Sequence, residues 1–416
     1  MKKLLITILI LLLTFTGYIL YNHYESNKIP ILTIEESVVS IDNLYTYGTH
    51  LNLEGSNLPS GNLDLVLYNG EFISIPLNIT DTKFNLSDYV NDGYYLEGLS
   101  IGTYYLFIRD TIKEEETTTY KYYSLKNNSN YQETTYYTLT SQNNKIIIKN
   151  EETYPTMLIE VNKNNKLEVY DIVLDPGHGG MDGGASKYGY SETDFTMDIV
   201  NKIAQKLRSA GLKVKLTRET DSLTKNDRLP EYGPHGRAVI PGEVNAKYLF
   251  SIHLNSNTYS NVHGLEIYTA ANINYDFAKQ LVNNITTYTG LSTSTNKVNK
   301  MFDGIYTRTF TEADIASSIK EYEDSEMIPY DYSTKSNYYY IIRETGGIVT
   351  GAYVDSRNAQ IEGNPYYNTN IGTETYLLEL GYITNKSDLN NMINHMDKYV
   401  EAISNTILTL YQTSTE

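Results

Sequence analysis

The 416-residue sequence predicts an α/β domain with an open, mostly parallel sheet and flanking helices, preceded by a small β-sandwich-like domain and an N-terminal transmembrane helix. An uncharged apolar run at residues 4–20 predicts the transmembrane helix. Short alternating runs broken by turn residues over 29–168 predict strands, and strand-like runs that alternate with helical periodicity over 169–416 predict the α/β domain. Residues 1–28 are the expected anchor and stalk.

The apolar run at 4–20 follows Lys2 and Lys3. It exceeds the roughly 7 to 15 residues of a signal-peptide core and reaches the roughly 17 that cross a bilayer. No small-residue cleavage site follows it, so an anchor is favoured, and a cleaved signal peptide is the alternative. Because positive flanks stay in the cytoplasm, we expect a single-pass membrane protein whose remaining chain is extracytoplasmic.

Composition excludes several classes of function. The chain has 33 Lys and Arg against 50 Asp and Glu, a net charge of −17, which makes nucleic acid a poor partner. It contains no Cys, so disulfides, zinc fingers and thiol nucleophiles are excluded. Any metal must be held by His and carboxylate side chains.

Residues 29–168 show no catalytic cluster. Alternating apolar residues on both sides of Asn69-Gly70 predict a β-hairpin. Further strands are expected at 104–108, 134–139 and 145–149, which together favour a small β-sandwich. The Thr- and Tyr-rich stretch 114–140 fits strand propensity, and a sugar-stacking surface is the alternative.

The periodicity changes after residue 169. A strand at 172–174 is followed by a helix that begins near Ser191 and ends at Gly211, and then by a strand at 213–217, which is a βαβ unit. The sheet is extended by runs at 248–252, 265–268 and 376–380. A single C-terminal helix is expected from about Ser387.

Three candidate metal ligands lie at strand or helix ends. His178 follows the first strand in a glycine-rich loop, Glu192 lies at the start of the next helix, and His253 ends another buried strand. The carboxyl ends of parallel strands converge on one crevice, so these side chains can meet. Two imidazoles and one carboxylate suit Zn²⁺ with an open fourth position, where the pKa of a bound water falls to about 7.

Glu379 is the candidate acid/base. It lies within an otherwise apolar strand, where an unpaired charge is costly unless the side chain faces a polar site. Burial would raise its pKa toward a value useful for proton transfer. Amide hydrolysis needs such a group, because a proton must move from water to the leaving amine.

Together these motifs resemble the zinc-dependent N-acetylmuramoyl-L-alanine amidases with a type 3 catalytic domain, over roughly residues 171–411. The matching motifs, in the family's order, are DPGHGG at 175–180, MDGGA at 181–185, a Glu at the next helix start, Thr217-Arg218 with Asp221, SIHLNSN at 251–257 and ELGYITN at 379–385. Taken one at a time they are weak signals, but their combination is distinctive.

The resemblance implies that His178, Glu192 and His253 bind zinc and that Glu379 is the catalytic acid/base. The substrate would be peptidoglycan on the cell-wall side of the membrane, cut at the amide between N-acetylmuramic acid and L-alanine. Three further residues are candidate substrate contacts: Asn255, His263 and Arg218.

The sequence departs from the family pattern in two places. Pro and Gly interrupt the segment that carries a family Arg, so Arg228 and Arg237 both remain candidates for that position. The interval from His253 to Glu379 indicates an insertion at about 290–373, which borders the substrate groove, covers it, or forms a surface loop. A catalytically silent wall-binding or regulatory module and a zinc peptidase on another substrate are the alternative functions.

Overall fold

A computed structural model provides the coordinates of the protein. It describes residues 32–127, 134–137, 144–149, 156–164, 169–179, 182–219, 237–238, 240–308, 312–313, 316, 339–349 and 372–411. The predicted anchor at 4–20 lies outside these residues. Within them, no helix combines the length and the apolar character needed to cross a membrane.

Twelve described strands form the β-rich domain. They are β1 (Ile34–Tyr47), β2 (His50–Ser56), β3 (Leu63–Tyr68), β4 (Phe72–Pro76), β5 (Asn78–Thr80), β6 (Lys83–Asn85), β7 (Tyr94–Tyr95), β8 (Gly102–Glu114), β9 (Thr117–Asn127), β10 (Thr134–Tyr137), β11 (Asn144–Lys149) and β12 (Leu158–Lys163). The predicted hairpin is confirmed, since β3 and β4 pair in antiparallel fashion around Asn69-Gly70.

These strands belong to one branched sheet, not to the two sheets of the predicted sandwich. The long strand β8 explains the difference, because it pairs with β12 near its start and with β3 and β9 further along. One hydrophobic core contains both Phe84 of β6 and Ile146 of β11, so the sheet curves around it. Periodicity predicts strands but does not show that one strand serves several neighbours.

The α/β domain contains a described seven-stranded sheet in the order β16-β13-β17-β21-β18-β20-β19. Its strands are β13 (Ile172–Pro176), β16 (Val214–Leu216), β17 (Tyr248–Asn255), β18 (Glu266–Tyr268), β19 (Lys300–Phe302), β20 (Ile305–Tyr306) and β21 (Glu374–Tyr382), and a separate hairpin is formed by β14 (Ser186–Lys187) and β15 (Tyr190–Ser191).

The sheet is mixed, which corrects the mostly parallel prediction. Strands β16, β13, β17 and β21 are parallel, whereas β18 is antiparallel to β21. The connection from β17 to β18 contains no described helix, and a parallel return needs a crossover of roughly a dozen residues or more, usually helical. The short connection therefore reverses the chain direction.

Six described α-helices accompany the sheet. They are α1 (Glu192–Ser209), α2 (Ile240–Glu243), α3 (Asp276–Thr289), α4 (Tyr340–Gly346), α5 (Lys386–Asn394) and α6 (Met396–Thr409). The predicted single C-terminal helix is broken at His395, which has φ −123° and ψ 21° and separates α5 from α6. Both halves bury apolar residues, so the hydrophobic stripe continues across a break that periodicity does not reveal.

The β-rich domain packs against the amino-terminal edge of the α/β sheet. The Gly48 amide donates to the Gly372 carbonyl at 3.0 Å, and Asn91 Nδ2 donates to Glu374 Oε1 at 2.9 Å. Tyr47 is fully buried in the core of the α/β domain. These contacts leave the carboxyl ends of the parallel strands for the candidate site.

Candidate metal and catalytic site

The loop after β13 brings two histidines together at the carboxyl edge of the sheet. Its residue His178 adopts a left-handed backbone conformation with φ 61°, which is uncommon for a residue with a side chain. At Gly177, an added Cβ would lie 2.5 Å from the His253 ring. Only glycine at this position lets the loop approach His253 closely enough to form the cluster.

His178, Glu192 and His253 form a compact set of donor atoms. His178 Nε2 lies 3.0 Å from Glu192 Oε1 and 3.1 Å from His253 Nδ1, and His253 Nδ1 lies 3.3 Å from Glu192 Oε1. Ligands about 2.0 to 2.1 Å from a tetrahedral zinc ion are roughly 3.3 Å apart. The observed donor types and separations therefore fit a zinc ion with one open position.

Neighbouring groups orient these side chains. Asp182 Oδ2 lies 2.8 Å from His178 Nδ1, which leaves Nε2 directed at the cluster. The Glu192 carboxylate accepts hydrogen bonds from the Leu254 amide at 2.8 Å and the Ala185 amide at 2.9 Å. Such outer contacts fix the orientation and basicity of metal ligands, and the sequence analysis did not identify Asp182.

The protonation of the cluster follows from its contacts. Burial alone would lower the pKa of His178, but its hydrogen bonds to Asp182 and Glu192 outweigh burial and raise that pKa to about 10. Burial lowers the pKa of His253. Burial would raise the pKa of Glu192, but the two histidines hold it below its usual value. Glu192 is therefore ionised, which is the form in which a carboxyl group binds a metal.

Arg237, one of the two arginines between which the sequence does not decide, contacts the strand and the loop that carry the cluster. Its Nε lies 2.8 Å from Oδ1 of the fully buried Asp175, and its guanidinium donates to the His178 carbonyl at 2.7 Å. Asp175 also accepts from Ser251 Oγ at 2.6 Å. Together these contacts hold the His178 loop against β13, the strand that carries Asp175. Arg228 lies outside the described residues.

The placement of Arg218 argues against its expected role in substrate binding. Its side chain is 4% exposed, and its guanidinium donates to the carbonyls of Pro176 and Gly177 at 3.0 Å each. It therefore supports the His178 loop from beneath. A single Arg after a strand carries no sequence signal that separates these two roles.

A cavity of about 580 Å³, here called the cleft, opens over the cluster. It is lined by Asp175, His178, Asp182, Gly184, Ala185, Glu192, Arg237, Ser251, His253, Leu254, Asn255, Ser256, Tyr339, Ile341, Leu377 and Glu379. Tyr339 and Ile341 come from the predicted insertion, so its described segment 339–349 borders the cleft, whereas its described segment 290–308 contributes β19 and β20 to the sheet.

Glu379 enters the cleft from β21. It pairs in register with His253 on one side and Glu266 on the other, and its side chain is 6% exposed. Its Oε2 is buried without a hydrogen-bond partner among the described residues. Burial, together with the negative charges of Glu192 and Glu266, raises its pKa well above the usual range. A carboxyl group in this state is poised to exchange a proton with a group in the cleft.

The other two predicted substrate contacts differ in position. Asn255 lines the cleft, and its Nδ2 donates to Glu266 Oε2 at 2.9 Å. His263 does not line the cleft, and its Nδ1 lies 3.3 Å from Ser292 Oγ. Glu266, which sequence analysis missed, also accepts from Tyr382 Oη at 2.5 Å and so links β18 to β21.

A comparison with protein families matches residues 172–409, more than half of the chain, to the family described as N-acetylmuramoyl-L-alanine amidase. The chain belongs to this amidase family. The family assignment confirms the resemblance noted from the motifs and assigns an amidase-type α/β fold to the C-terminal domain. The roles of individual site residues, and zinc itself, stay predictions.

Individual relatives are similar to this chain over only part of its length. It is 35% identical over 109 residues to the probable cell wall amidase LytH of Staphylococcus aureus, which is 26% of this chain and 33% of that relative. The chain thus spans about a third of the curated relatives it matches. The solved amidase AmiC2 of Nostoc punctiforme is 22% identical with a TM-score of 0.37, covering 59% of this chain and 99% of that one. The catalytic domain of CwlV from Bacillus (Paenibacillus) polymyxa is 20% identical with a TM-score of 0.38, covering 59% and 99%.

Proposed function

We propose that the protein is a zinc-dependent peptidoglycan hydrolase that cleaves the amide between N-acetylmuramic acid and L-alanine of the stem peptide. The observation that carries this proposal is the buried, unpartnered Oε2 of Glu379 in the same cleft as the His178, Glu192 and His253 cluster. A binding module would gain nothing from an unpaired buried carboxyl group, because burial without a partner is costly. An acid/base catalyst, in contrast, needs a carboxyl group that is free to exchange a proton with the substrate.

His178, Glu192 and His253 would hold the zinc ion. When bound, zinc polarises a carbonyl group and lowers the pKa of a water molecule to about 7. Asp182 and Arg237 keep the His178 loop in place for this binding. Glu192 adds the negative charge that makes the three donors selective for a cation.

Glu379 would move the proton. As a carboxylate, Glu379 would take the proton of the attacking water, and burial stabilises the neutral form that results, so the proton is held until the nitrogen of the scissile amide accepts it. Donation to the amine of L-alanine then makes that amine a neutral leaving group. The pairing of β17 with β21 places Glu379 opposite His253, which gives both groups access to one scissile bond.

Digestion of purified peptidoglycan tests the proposal. We expect new L-alanine amino termini without new reducing ends, and a release that is about 10²- to 10⁴-fold slower with Glu379→Gln under the same conditions. Absence of any product with the unaltered protein would favour a silent wall-binding module. Cleavage of protein substrates without release of L-alanine termini would favour a zinc peptidase.

We also propose that residues 4–20 anchor the protein with Lys2 and Lys3 in the cytoplasm and the amidase domain on the cell-wall side. Mass spectrometry of the mature amino terminus from the membrane fraction tests this topology. The intact terminus is expected. A new terminus between residues 20 and 30 would show a cleaved signal peptide instead.

A further inference from the structure

The β14–β15 hairpin stands at the rim of the cleft. It lies between Ala185 and Glu192, which both line the cleft, and carries Tyr188 at its turn. Tyr188 Oη donates to the Thr384 carbonyl at 3.4 Å, just beyond β21, and Thr384 Oγ1 accepts from the Asn257 amide at 3.0 Å. Three segments that lead away from the cluster and from Glu379 are therefore joined through Thr384, which contacts both Tyr188 and Asn257.

Two ammonium groups approach the Tyr188 ring. Lys187 Nζ lies 5.7 Å and Lys386 Nζ 5.2 Å from the ring centroid, within the range of cation–π contacts. Both lysines are exposed, and Tyr188 is 45% exposed. Together they form a surface, here called the lysine–tyrosine platform, that solvent and substrate can reach.

No described carboxylate neutralises the platform. Other lysines of this acidic chain, such as the half-buried Lys202 and the exposed Lys279, form ion pairs with Asp397 and Asp276. Neither platform lysine forms an ion pair with a carboxylate in the described part of the chain. The acidic residue nearest to Lys386 in sequence is Asp388, which is buried and accepts from the Gly264 and Tyr382 amides.

We propose that the lysine–tyrosine platform binds a free carboxylate of the stem peptide, an inference that rests on the proposed function. Two ammonium groups held against one ring repel each other, and an anion between them relieves that repulsion. A glycan strand of N-acetylated sugars whose lactyl groups are joined to peptide carries no free carboxylate. Stem peptides carry free carboxylates on residues beyond L-alanine, so the platform directs the peptide toward the hairpin and selects an acidic stem.

A matched pair of soluble substrates tests the platform. The acid is N-acetylmuramoyl-L-alanyl-D-glutamine, whose one free carboxylate is the α-carboxylate of its second residue, and the amide is the same compound with that α-carboxylate converted to an amide. For the full-length protein we expect a KM about 2- to 30-fold lower for the acid than for the amide, since two exposed ion pairs each contribute modestly to binding. The kcat values should be equal, and the difference should shrink as salt concentration rises.

Substitution of both lysines isolates their effect. The K187Q/K386Q variant should raise KM for the acid to the value for the amide and leave the amide kinetics unchanged. Lys279→Gln is the matched control, because Lys279 is also exposed and lies 5.0 Å from a ring centroid, that of Phe302, away from the cleft. It should change neither KM. Equal changes for both substrates in K187Q/K386Q would overturn the proposal.

Binding separates this proposal from the proposed function. Calorimetric titration of Glu379→Gln with the same two compounds should show the same preference for the acid, and K187Q/K386Q should abolish it. If the unaltered protein cleaves neither compound but binding keeps the preference, the amidase mechanism fails and the platform stands. If binding shows no preference for the acid, the platform assignment is wrong whether or not cleavage occurs.

Discussion

Glu374 and Glu379 both lie on strand β21, but their carboxyl groups have opposite surroundings. Glu374 lies at the amino edge of the sheet, where its carboxylate accepts from Asn91 Nδ2 at 2.9 Å and from Tyr376 Oη. Glu379 lies at the carboxyl edge, where its Oε2 has no described hydrogen-bond partner. Both are nearly inaccessible to solvent, at 4% and 6% exposure.

Burial raises the pKa of both carboxyl groups, so a shifted pKa alone does not separate them. It reaches about 7 for Glu374, where the hydrogen bonds from Tyr376 and Asn91 offset part of the effect of burial. Burial also raises the pKa of Glu379 well above its usual range, and there the negative charges of Glu192 and Glu266 add to the effect of burial. The two groups differ in their hydrogen bonds. Glu374 joins the two domains through hydrogen bonds to its carboxyl group, whereas Glu379 Oε2 has no described partner and is available to a substrate.

Loss of a metal ligand should have the largest effect at the carboxyl edge. His178→Ala, His253→Ala or Glu192→Ala should leave two of the three donors and empty the site, with loss of amidase activity. Metal analysis of the purified variants checks this expectation. Full zinc occupancy in any of them would show that the cluster is not the metal site.

Glu379→Gln should retain the metal and lose catalysis. We expect amide cleavage to fall by about 10²- to 10⁴-fold, which is typical of the loss of a general acid/base, because Gln cannot carry the proton. Steady-state rates and zinc content measured on the same preparation check the expectation. Unchanged activity would remove Glu379 from the mechanism, and loss of zinc would make it a ligand.

Glu374→Gln should change stability and leave catalysis intact. Since the folded pKa of about 7 exceeds the ordinary 4.5, Glu374 contributes stability below pH 4.5 that is lost as pH rises through 7. The unfolding free energy of the unaltered protein should therefore fall by about 3 kcal/mol between these pH values relative to the Gln variant. Denaturant unfolding at several pH values measures this difference. A parallel pH dependence in both proteins would show that Glu374 is ionised in the folded state.

Sequence reasoning reached the three residues of the His178, Glu192 and His253 cluster because their positions follow from a general rule of parallel sheets. His178 and His253 come directly after strands, and Glu192 begins the intervening helix, so their meeting needs no knowledge of loop geometry. Glu379 was recognisable as a charge in an apolar strand. Glu374 has the same local signal, and only its contact with Asn91 from the other domain separates the two.

The supporting residues could not be predicted because their roles depend on backbone geometry. Arg228 and Arg237 lie in one Pro- and Gly-rich segment, and only the path of the chain brings Arg237 to Asp175. The direction of β18, and with it the place of Glu266 beside Glu379, depends on a connection that contains no periodic signal. Long-range pairing of this kind is not contained in local periodicity.

The smallest expected effect concerns Asp182, which supports the carboxyl edge without joining the donor set. Its side chain is 66% exposed, compared with 3% for Glu192, so water can replace part of its contribution. Asp182→Asn keeps an oxygen to accept from the Gly184 amide but removes the charge that faces His178 Nδ1. Zinc affinity, measured by competition with a chelator, should fall by about 10- to 100-fold, as is typical when an outer contact of a ligand is lost. Loss as complete as in Glu192→Ala would make Asp182 a ligand, whereas unchanged affinity would mean that Glu192 and the loop alone orient His178.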